Sequence, residues 1–438
     1  MENVLLDVFE EHLNEAGFLW TQWEQALDAP DFSFEESLSL EGRLRAHLDG
    51  LVVGDAPVVE LLLTPSLDSE DPSLIFSATF ALLAAPGNTR PLEALATGLE
   101  GPEELRPSIQ RAWELSEGES MAQSLKALLA RTHANPLAMS LEVLAFHHLT
   151  PRADVVEGLL GSADARLLAA ASGWLQALPP QRMRTLLARL LRDSRPEVLD
   201  AAIEAGLMAG ARTAWDRCLE EASANASPSR HQLLLLGLGG DSTSLARLLG
   251  LLGEERLLAD VLWALGFSGQ PAAAEACLAW LEHPRFAPLA GESFSAITGL
   301  SLRDDFALER EEAPREEPIP LEEEDLDADL TPRPEDALPI PNPGVVRAWW
   351  QHERKGFTAG QRYLRGKPFS MERLLAELEL GPMRRRHAHA LELALRSRGA
   401  LRLQTRAFSP RQNRELASMR TGAFRLSSRP LPGLLEGW

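Results

Sequence analysis

Apolar positions recur along the middle of the chain with the spacing of an α-helix. Four segments rich in Ala and Leu each end in a turn of small residues. They lie at residues 166–180, 197–210, 230–240 and 256–269. The last three end at Gly210, Gly240 and Gly269, which are 30 and 29 residues apart. A glycine directly after an apolar helix is a C-cap signal, because glycine adopts the left-handed conformation at little cost.

A second amphipathic segment follows each of these four, so the repeating unit contains two helices. Two helices with a period near 30 residues are typical of an α-solenoid of the HEAT-like kind. One helical pair cannot bury its own apolar faces, whereas stacked pairs share a continuous core. Less regular units at 70–101 and 108–150 extend the pattern. The sequence therefore predicts an all-α fold, with a HEAT-like repeat solenoid over residues 66–302.

The two ends of the chain differ from this array. Residues 1–65 have apolar positions at helical spacing and predict an N-terminal helical cap, which would cover the exposed end of the solenoid. Residues 303–343 hold eight prolines and a dense acidic run at 321–330, which predicts an extended acidic linker. Residues 344–438 show helical periodicity again and predict a small C-terminal helical region.

Charge is distributed unevenly along the chain. The net charge is −21, yet residues 339–438 hold 19 basic against 7 acidic residues. Residues 304–338 hold 15 acidic against 3 basic residues. An acidic array argues against nucleic-acid binding by the N-terminal part and favours partners with a basic surface. The basic C-terminal region is expected either to bind an acidic partner or to fold back on its own acidic linker.

Cellular location follows from composition. No run approaches the roughly 18 uncharged apolar residues of a membrane span, and the first residues lack the basic start of a secretory signal. The two cysteines, Cys218 and Cys277, lie far apart at similar places in different units, so both are predicted to be small core residues. We expect a cytoplasmic protein without a membrane partner; the oligomeric state stays open.

Several segments resemble one family of uncharacterised bacterial HEAT-like repeat proteins. The segments are AGESFSAITGLSL at 290–302, LPIPNPGVVRAWWQ at 338–351, GQRYLRGKPFSMERL at 360–374 and RRRHAHALELAL at 384–395. The resemblance covers about residues 135–400. Some members are encoded near genes of the type VI secretion system, which implies a class of partner. The resemblance supplies no catalytic residues for this chain.

The segment at 290–302 supplies the first candidate interaction residues. Glu292, Ser293 and Ser295 are candidates for the lining of a functional groove. The alternative is a tight helix pair before the linker, which the small residues of this segment would allow to pack closely.

An aromatic and basic patch supplies the next candidates, which are Trp349, Trp350, Arg354 and Tyr363. Aromatic rings beside cations suit phosphate or nucleic-acid contact. They equally suit a helix that its tryptophans attach to the solenoid, with arginines toward water. The second interpretation is favoured.

Three consecutive arginines, Arg384, Arg385 and Arg386, complete the candidate set. They precede His387 and His389, whose i, i+2 spacing points the two rings to different sides of a helix and therefore disfavours a metal site. The prediction is a basic helix at the surface.

No nucleotide-binding motif, catalytic constellation or metal-ligand pattern is present, so no cofactor is predicted. The Gly-rich stretch at 237–244 predicts a turn between helices, with Asp241 or Ser242 as the N-cap. We expect a non-catalytic protein-binding scaffold or adaptor, associated with type VI secretion or effector handling. Two alternatives stay open, namely a HEAT-like lyase-type enzyme or enzyme subunit and nucleic-acid binding through the basic C-terminal region.

Overall fold

A computed structural model describes residues 6–54, 56–84, 98–223, 227–309, 333–422 and 426–436. These residues are mostly helical, and the strands among them are two pairs of two residues each. The all-α fold class is therefore confirmed. The acidic run at 321–330 lies outside the described residues. No helix in the described part of the chain has both the length and the apolar character that crossing a bilayer requires.

The described α-helices follow one another along the chain. In the first third they are Leu6–Asp28, Phe34–Val52, Ala56–Val58, Thr64–Ser66, Pro72–Ala84, Arg106–Leu115, Glu119–Leu129 and Ala134–Phe146, with a π-helical turn at Val59–Leu63. In the middle they are Ala153–Leu159, Ala165–Ser172, Pro180–Leu190, Pro196–Met208, Arg212–Glu221, Arg230–Gly239, Ser242–Gly250, Leu258–Ser268, Pro271–Leu278 and Ala287–Thr298. In the last quarter they are Pro343–Glu353, Met371–Leu380, Met383–Arg396 and Ser409–Thr421.

Helices that begin successive predicted units pack against one another in two groups of three. Helix Ala165–Ser172 lies between Ala134–Phe146 and Pro196–Met208, and helix Leu258–Ser268 lies between Arg230–Gly239 and Ala287–Thr298. We refer to the helices from Pro72 to Thr298 as the helical array. Their shared apolar interior forms one large core cluster.

In four units, the first helix ends at a glycine that has the left-handed conformation. The φ angles are +80° at Gly210, +69° at Gly240 and +65° at Gly269, so the predicted caps are confirmed. Gly299 adds a fourth, with a φ of +78°, after helix Ala287–Thr298. The predicted turn is also confirmed, because the Asp241 side chain accepts the first free backbone N–H groups of the next helix.

The C-terminal region, residues 344–438, has a small core cluster of its own and also adds residues to the two larger clusters. Leu395 and Leu431 belong to the large cluster, and Met383 and Ala407 belong to the cluster of the N-terminal helices. Helix Met383–Arg396 contacts both the first helix, Leu6–Asp28, and the array helix Pro196–Met208. The C-terminal region is therefore docked on the array.

Two short antiparallel strand pairs shape this region. Ala307–Leu308 pairs with Ile340–Pro341, so the two described ends of the predicted linker lie side by side. Tyr363–Leu364 pairs with Lys367–Pro368 through a two-residue turn. Both turn residues, Arg365 and Gly366, have positive φ angles (+47° and +76°), as a type I′ hairpin turn requires.

Candidate functional site between the array and the C-terminal region

The hairpin at Tyr363–Pro368 crosses the C-terminal ends of two array helices. The Tyr363 N–H donates to the Gly269 carbonyl at 2.8 Å, and the Arg365 N–H donates to the Ala296 carbonyl at 2.8 Å. The last carbonyls of a helix have no partner within the helix. The hairpin supplies these partners, so the C-terminal region completes the hydrogen bonding of the array.

Arginine side chains of the C-terminal region bind other helix ends. Arg362 Nη2 donates to the Phe267 carbonyl at 2.8 Å, and Arg411 Nη2 donates to the Phe146 carbonyl at 2.5 Å. A cation near a helix C-terminus is favourable because the helix dipole is negative there, typically by 0.3–1 kcal/mol. The basic composition of this region therefore matches the ends of the helices that it covers.

A buried ionic triad lies at the centre of the interface. Glu392 binds Arg362 (Oε2–Nη2 3.0 Å) and Arg396 (Oε1–Nε 2.6 Å), and the three side chains are 2%, 8% and 1% exposed. Burial would raise the pKa of the Glu392 carboxyl, but the charges of Arg362 and Arg396 outweigh it and hold the pKa at about 2. Both guanidinium groups also lie over the ring of Phe369. The triad links the hairpin to helix Met383–Arg396.

A second charged cluster surrounds Glu292. The nearest cation is Arg384 (Nε–Oε1 3.2 Å), followed by Arg385 (Nη1–Oε1 3.7 Å). Arg384 lies over the Trp263 ring at 4.5 Å, and Arg385 lies over the Phe267 ring at 3.9 Å. Burial lowers the pKa of Arg385 to about 10, while Glu292 partly opposes this shift. Candidates from two distant segments are therefore neighbours here.

The other candidates of the 290–302 segment lie in the same helix, Ala287–Thr298. Ser293 is fully buried, and its Oγ donates to the Leu262 carbonyl at 2.7 Å, which joins neighbouring array helices. The Ser295 Oγ is covered from solvent and has no hydrogen-bond partner. Ser293 therefore stabilises the packing of two array helices, whereas the Ser295 hydroxyl makes no hydrogen bond.

The aromatic and basic candidates contact the array. Trp350 is buried, and both Trp350 and Trp349 meet the ring of Phe294 edge-on at 5.4 and 6.1 Å. Arg354 forms an ion pair with Glu275 of the array. The structure thus matches the interpretation in which the tryptophans attach this helix to the array.

Tyr363 is buried at the same interface. Its hydroxyl oxygen accepts the Thr358 N–H at 2.8 Å, and its ring lies 4.7 Å from that of Phe357. It therefore supports the loop that leads into the hairpin.

The prediction that the three arginines form a surface helix is wrong. Arg384, Arg385 and Arg386 are 6%, 4% and 0% exposed. The helix is enclosed because the first helix and the array contact it. Arg386 shows how such burial is tolerated, since its Nε donates to the Leu378 carbonyl at 2.6 Å and its Nη2 to Gln412 Oε1 at 2.8 Å.

The two histidines that follow have separate surroundings. His387 bridges the Leu27 carbonyl (Nε2, 3.0 Å) and the Thr405 hydroxyl (Nδ1, 2.6 Å), whereas His389 meets the ring of Phe267 edge-on. Among the described residues, no three His, Cys, Asp or Glu side chains come together in a cluster that could hold a metal ion.

No sequence pattern predicted that Arg362, Glu392 and Arg411 lie at the interface. Glu392 had a signal that could have been used, because it lies among Leu391, Leu393 and Leu395 and has an arginine four residues later. An acid inside an apolar helical stretch indicates a buried, paired charge. Arg362 and Arg411 have no comparable local signal.

The buried histidines predict loss of stability in mild acid. Burial, and then the charge of Arg385, lower the pKa of His389 to about 3 from 6.5; Arg362, Arg365 and Glu392 are the other charges that act on it. Below about pH 6.5 the unfolded chain therefore binds a proton that the folded chain does not. We expect the free energy of unfolding to fall between pH 6.5 and 4.5, by up to about 1.4 kcal/mol per pH unit for each such histidine.

The measurement is urea unfolding at several pH values in this window, where the carboxyl groups with lowered pKa values remain charged. The raised pKa values of His231 and of the carboxyl groups of Glu41, Asp260 and Glu377 act in the opposite direction, so the net slope is a difference. His389→Leu removes one contribution and is expected to flatten the slope. An unchanged slope in this variant would show that His389 is not held neutral.

The burial of both thiols predicts that neither cysteine reacts in the folded protein. Burial raises the pKa of Cys277 to about 12 and also raises the pKa of Cys218. Because the thiolate is the reactive form, a thiol reagent at mildly alkaline pH is expected to label neither cysteine until denaturant unfolds the array. Prompt labelling of either cysteine in the folded protein would contradict its position in the core.

No family model matches the chain, and no curated protein matches it. The X-ray structure of YibA from Escherichia coli is similar, with 13% identity and a TM-score of 0.36 over 57% of this chain and 96% of that one. An engineered protein is similar with 14% identity and a TM-score of 0.26, over 58% of this chain and 84% of that one. Similarity at these scores carries no argument about function.

Proposed function

We propose that this protein is a non-catalytic scaffold or adaptor that binds other proteins and is built as a HEAT-like α-solenoid. The serial packing of the first helices supports the solenoid. The four left-handed glycines support it too, since Gly210, Gly240, Gly269 and Gly299 are 30, 29 and 30 residues apart. A solenoid presents an extended surface lined by corresponding helices of successive repeats, which suits the binding of a polypeptide.

One observation carries the proposal, namely that the array binds a basic polypeptide segment of its own chain. The C-terminal region bonds to the array through backbone groups, as Tyr363 does to Gly269, and through arginines, as Arg411 does to Phe146. An acidic surface with helix C-termini recognises basic segments by these two kinds of contact. Partners with basic segments are therefore the expected class.

Acidic surface remains for such partners after the C-terminal region has docked. Residues 1–303 hold 42 acidic against 21 basic residues, so the 19 basic and 7 acidic residues of 339–438 compensate only part of their negative charge. The sequence resemblance suggests a partner associated with type VI secretion or effector handling, and a cytoplasmic location agrees with that role.

Protein binding is favoured over nucleic-acid binding. Two residues of the patch that suggested nucleic-acid contact, Trp350 and Tyr363, are buried in contacts within the chain. Nucleic acid would have to displace these contacts before it could stack on either aromatic ring.

The test is affinity capture of the tagged full-length chain from its native host, after chemical crosslinking. We expect a protein partner at near-equal molar ratio, and we expect the purified pair to dissociate more readily as ionic strength rises. The same capture with added nuclease is the control against recovery through nucleic acid. Repeated recovery of no stoichiometric protein, or of nucleic acid alone, would contradict the proposal.

A further inference from the structure

A pocket of about 350 Å³ lies where the C-terminal region meets the end of the array. Its lining includes the arginines Arg303, Arg365 and Arg385, and we call it the arginine-lined pocket. All four segments that carry the family resemblance contribute to the lining, through Glu292, Leu338 and the last two of these arginines. The pocket therefore exists only when the C-terminal region is docked.

Polar groups of opposite charge in its lining have no hydrogen-bond partner. They are both carboxylate oxygens of Glu292, the Ser295 hydroxyl, and Nη1 and Nη2 of Arg385. The side chains of Glu292 and Arg385 are 9% and 5% exposed. Ser295 follows Glu292 by three residues, so both lie on one face of helix Ala287–Thr298.

The surrounding charges do not satisfy these groups. Arg384 and Arg385 lie close enough to Glu292 for electrostatic attraction, at 3.2 and 3.7 Å, yet neither forms a hydrogen bond to it. Buried polar groups in folded proteins are normally hydrogen-bonded. Acceptors and donors of this kind, placed together at one pocket, indicate a ligand that carries both a donor and an acceptor.

We propose that the arginine-lined pocket binds a small zwitterion of the α-amino-acid class. The ligand carboxylate is bound by Arg385 and Ser295, and its ammonium group is bound by Glu292. A simple anion would place its charge beside Glu292 without using the carboxylate oxygens. A simple cation could pair with Glu292 or with Asp31, which also lines the pocket, but it would face three arginines and leave the Arg385 N–H groups unused. Only a ligand with both charges uses both sets of groups, and the pocket volume is within the range of small-ligand sites.

Access to these groups requires a side chain at the pocket to move, because the unpartnered atoms are covered from solvent. Arg303 is exposed, and the Arg365 side chain is 49% exposed with one long ion pair, at 3.8 Å, to Glu377, so both long side chains can change rotamer at little cost. Either guanidinium can then pair with the ligand carboxylate as a second cation. The site does not depend on the scaffold proposal.

The test is calorimetric titration of the full-length protein with each of the common L-α-amino acids as the probe. At least one is expected to bind. Two analogues of each amino acid that binds are the controls, namely the carboxylic acid without the amino group and the amine without the carboxylate. Each analogue is expected to bind at least about tenfold more weakly than the amino acid, since it loses one charge-assisted hydrogen bond. Equal binding of the acid alone, or no binding by any amino acid, would overturn the proposal.

Variants locate the binding in this pocket. Ser295→Ala removes a hydroxyl that has no partner, so we expect the same stability as wild type and several-fold weaker binding. Arg303→Ala is expected to weaken binding similarly, whereas Arg152→Ala, at an exposed arginine elsewhere, is the matched control. Glu292→Gln should abolish the preference for the amino acid over the deaminated acid. If that variant does not fold, Ser295→Ala and Arg303→Ala decide, and unchanged affinity in both would place the ligand elsewhere.

Discussion

Replacement of Glu392 by alanine is expected to destabilise the protein by about 3–5 kcal/mol, because it leaves two arginines buried without their counter-charge. Arg362 and Arg396 are 8% and 1% exposed at their side chains, so neither can reach water without disturbing the interface. The measurement is the free energy of unfolding from urea titration followed by circular dichroism. The matched control is Asp154→Ala, which breaks the exposed ion pair with Arg152 and is expected to change nothing measurable.

Replacement of the whole triad distinguishes charge burial from lost packing. Apolar residues of similar volume at Arg362, Glu392 and Arg396 remove the unpaired charges together with the carboxylate. This triple variant is expected to be more stable than Glu392→Ala, although the Phe267 carbonyl loses the hydrogen bond from Arg362. If the triple variant were less stable than the single one, the buried ion pairs themselves would be a net source of stability.

Gly237→Ala is expected to destabilise the array by about 3 kcal/mol, at the upper end of the range for overpacked cores. Gly237 lies in helix Arg230–Gly239, which packs against helix Leu258–Ser268. A Cβ added there would lie 2.3 Å from the Ala264 carbonyl oxygen and 3.0 Å from its carbon, and both atoms belong to the neighbouring backbone. The two helices would have to separate, which would disturb the core on both sides.

Gly42→Ala is the matched control for this prediction. Gly42 is also within a helix, Phe34–Val52, but it is exposed and a Cβ there would meet no atom within 4 Å. Because alanine is the better helix former, this change is expected to stabilise the protein by about 0.5–1 kcal/mol. Thermal unfolding of both variants measures the contrast, and a destabilised Gly42→Ala would mean that the effect at Gly237 is not specific to helix contact.

Much of the array was predictable because its signals are local. The glycine caps follow from the conformational freedom of one residue, and the Asp241 N-cap follows from a side chain that binds backbone groups two and three residues later. The burial of Cys218 and Cys277 follows from their positions on apolar helix faces. None of these features needs information from a distant part of the chain.

The candidate site was predictable only in part. The sequence singled out Glu292 and Arg385, yet it assigned them to separate surfaces, because the two residues are 93 positions apart in the chain. It placed Arg384–Arg386 at the surface because charge normally lies in water, whereas stacking on Trp263 and Phe267 and contact with Glu292 compensate part of the cost of burial.

The sequence by itself determined that this protein is helical, where its helices end, and that a basic segment follows an acidic one. These are properties of the 3.6-residue period, of glycine and capping residues, and of composition. The tertiary structure alone decided that the basic segment lies on the array, that its arginines are buried and that a pocket forms where they meet Glu292. Contacts such as His387 with Leu27, which are 360 residues apart, depend on shape and charge matching over the folded surface, and no local pattern in the chain records them.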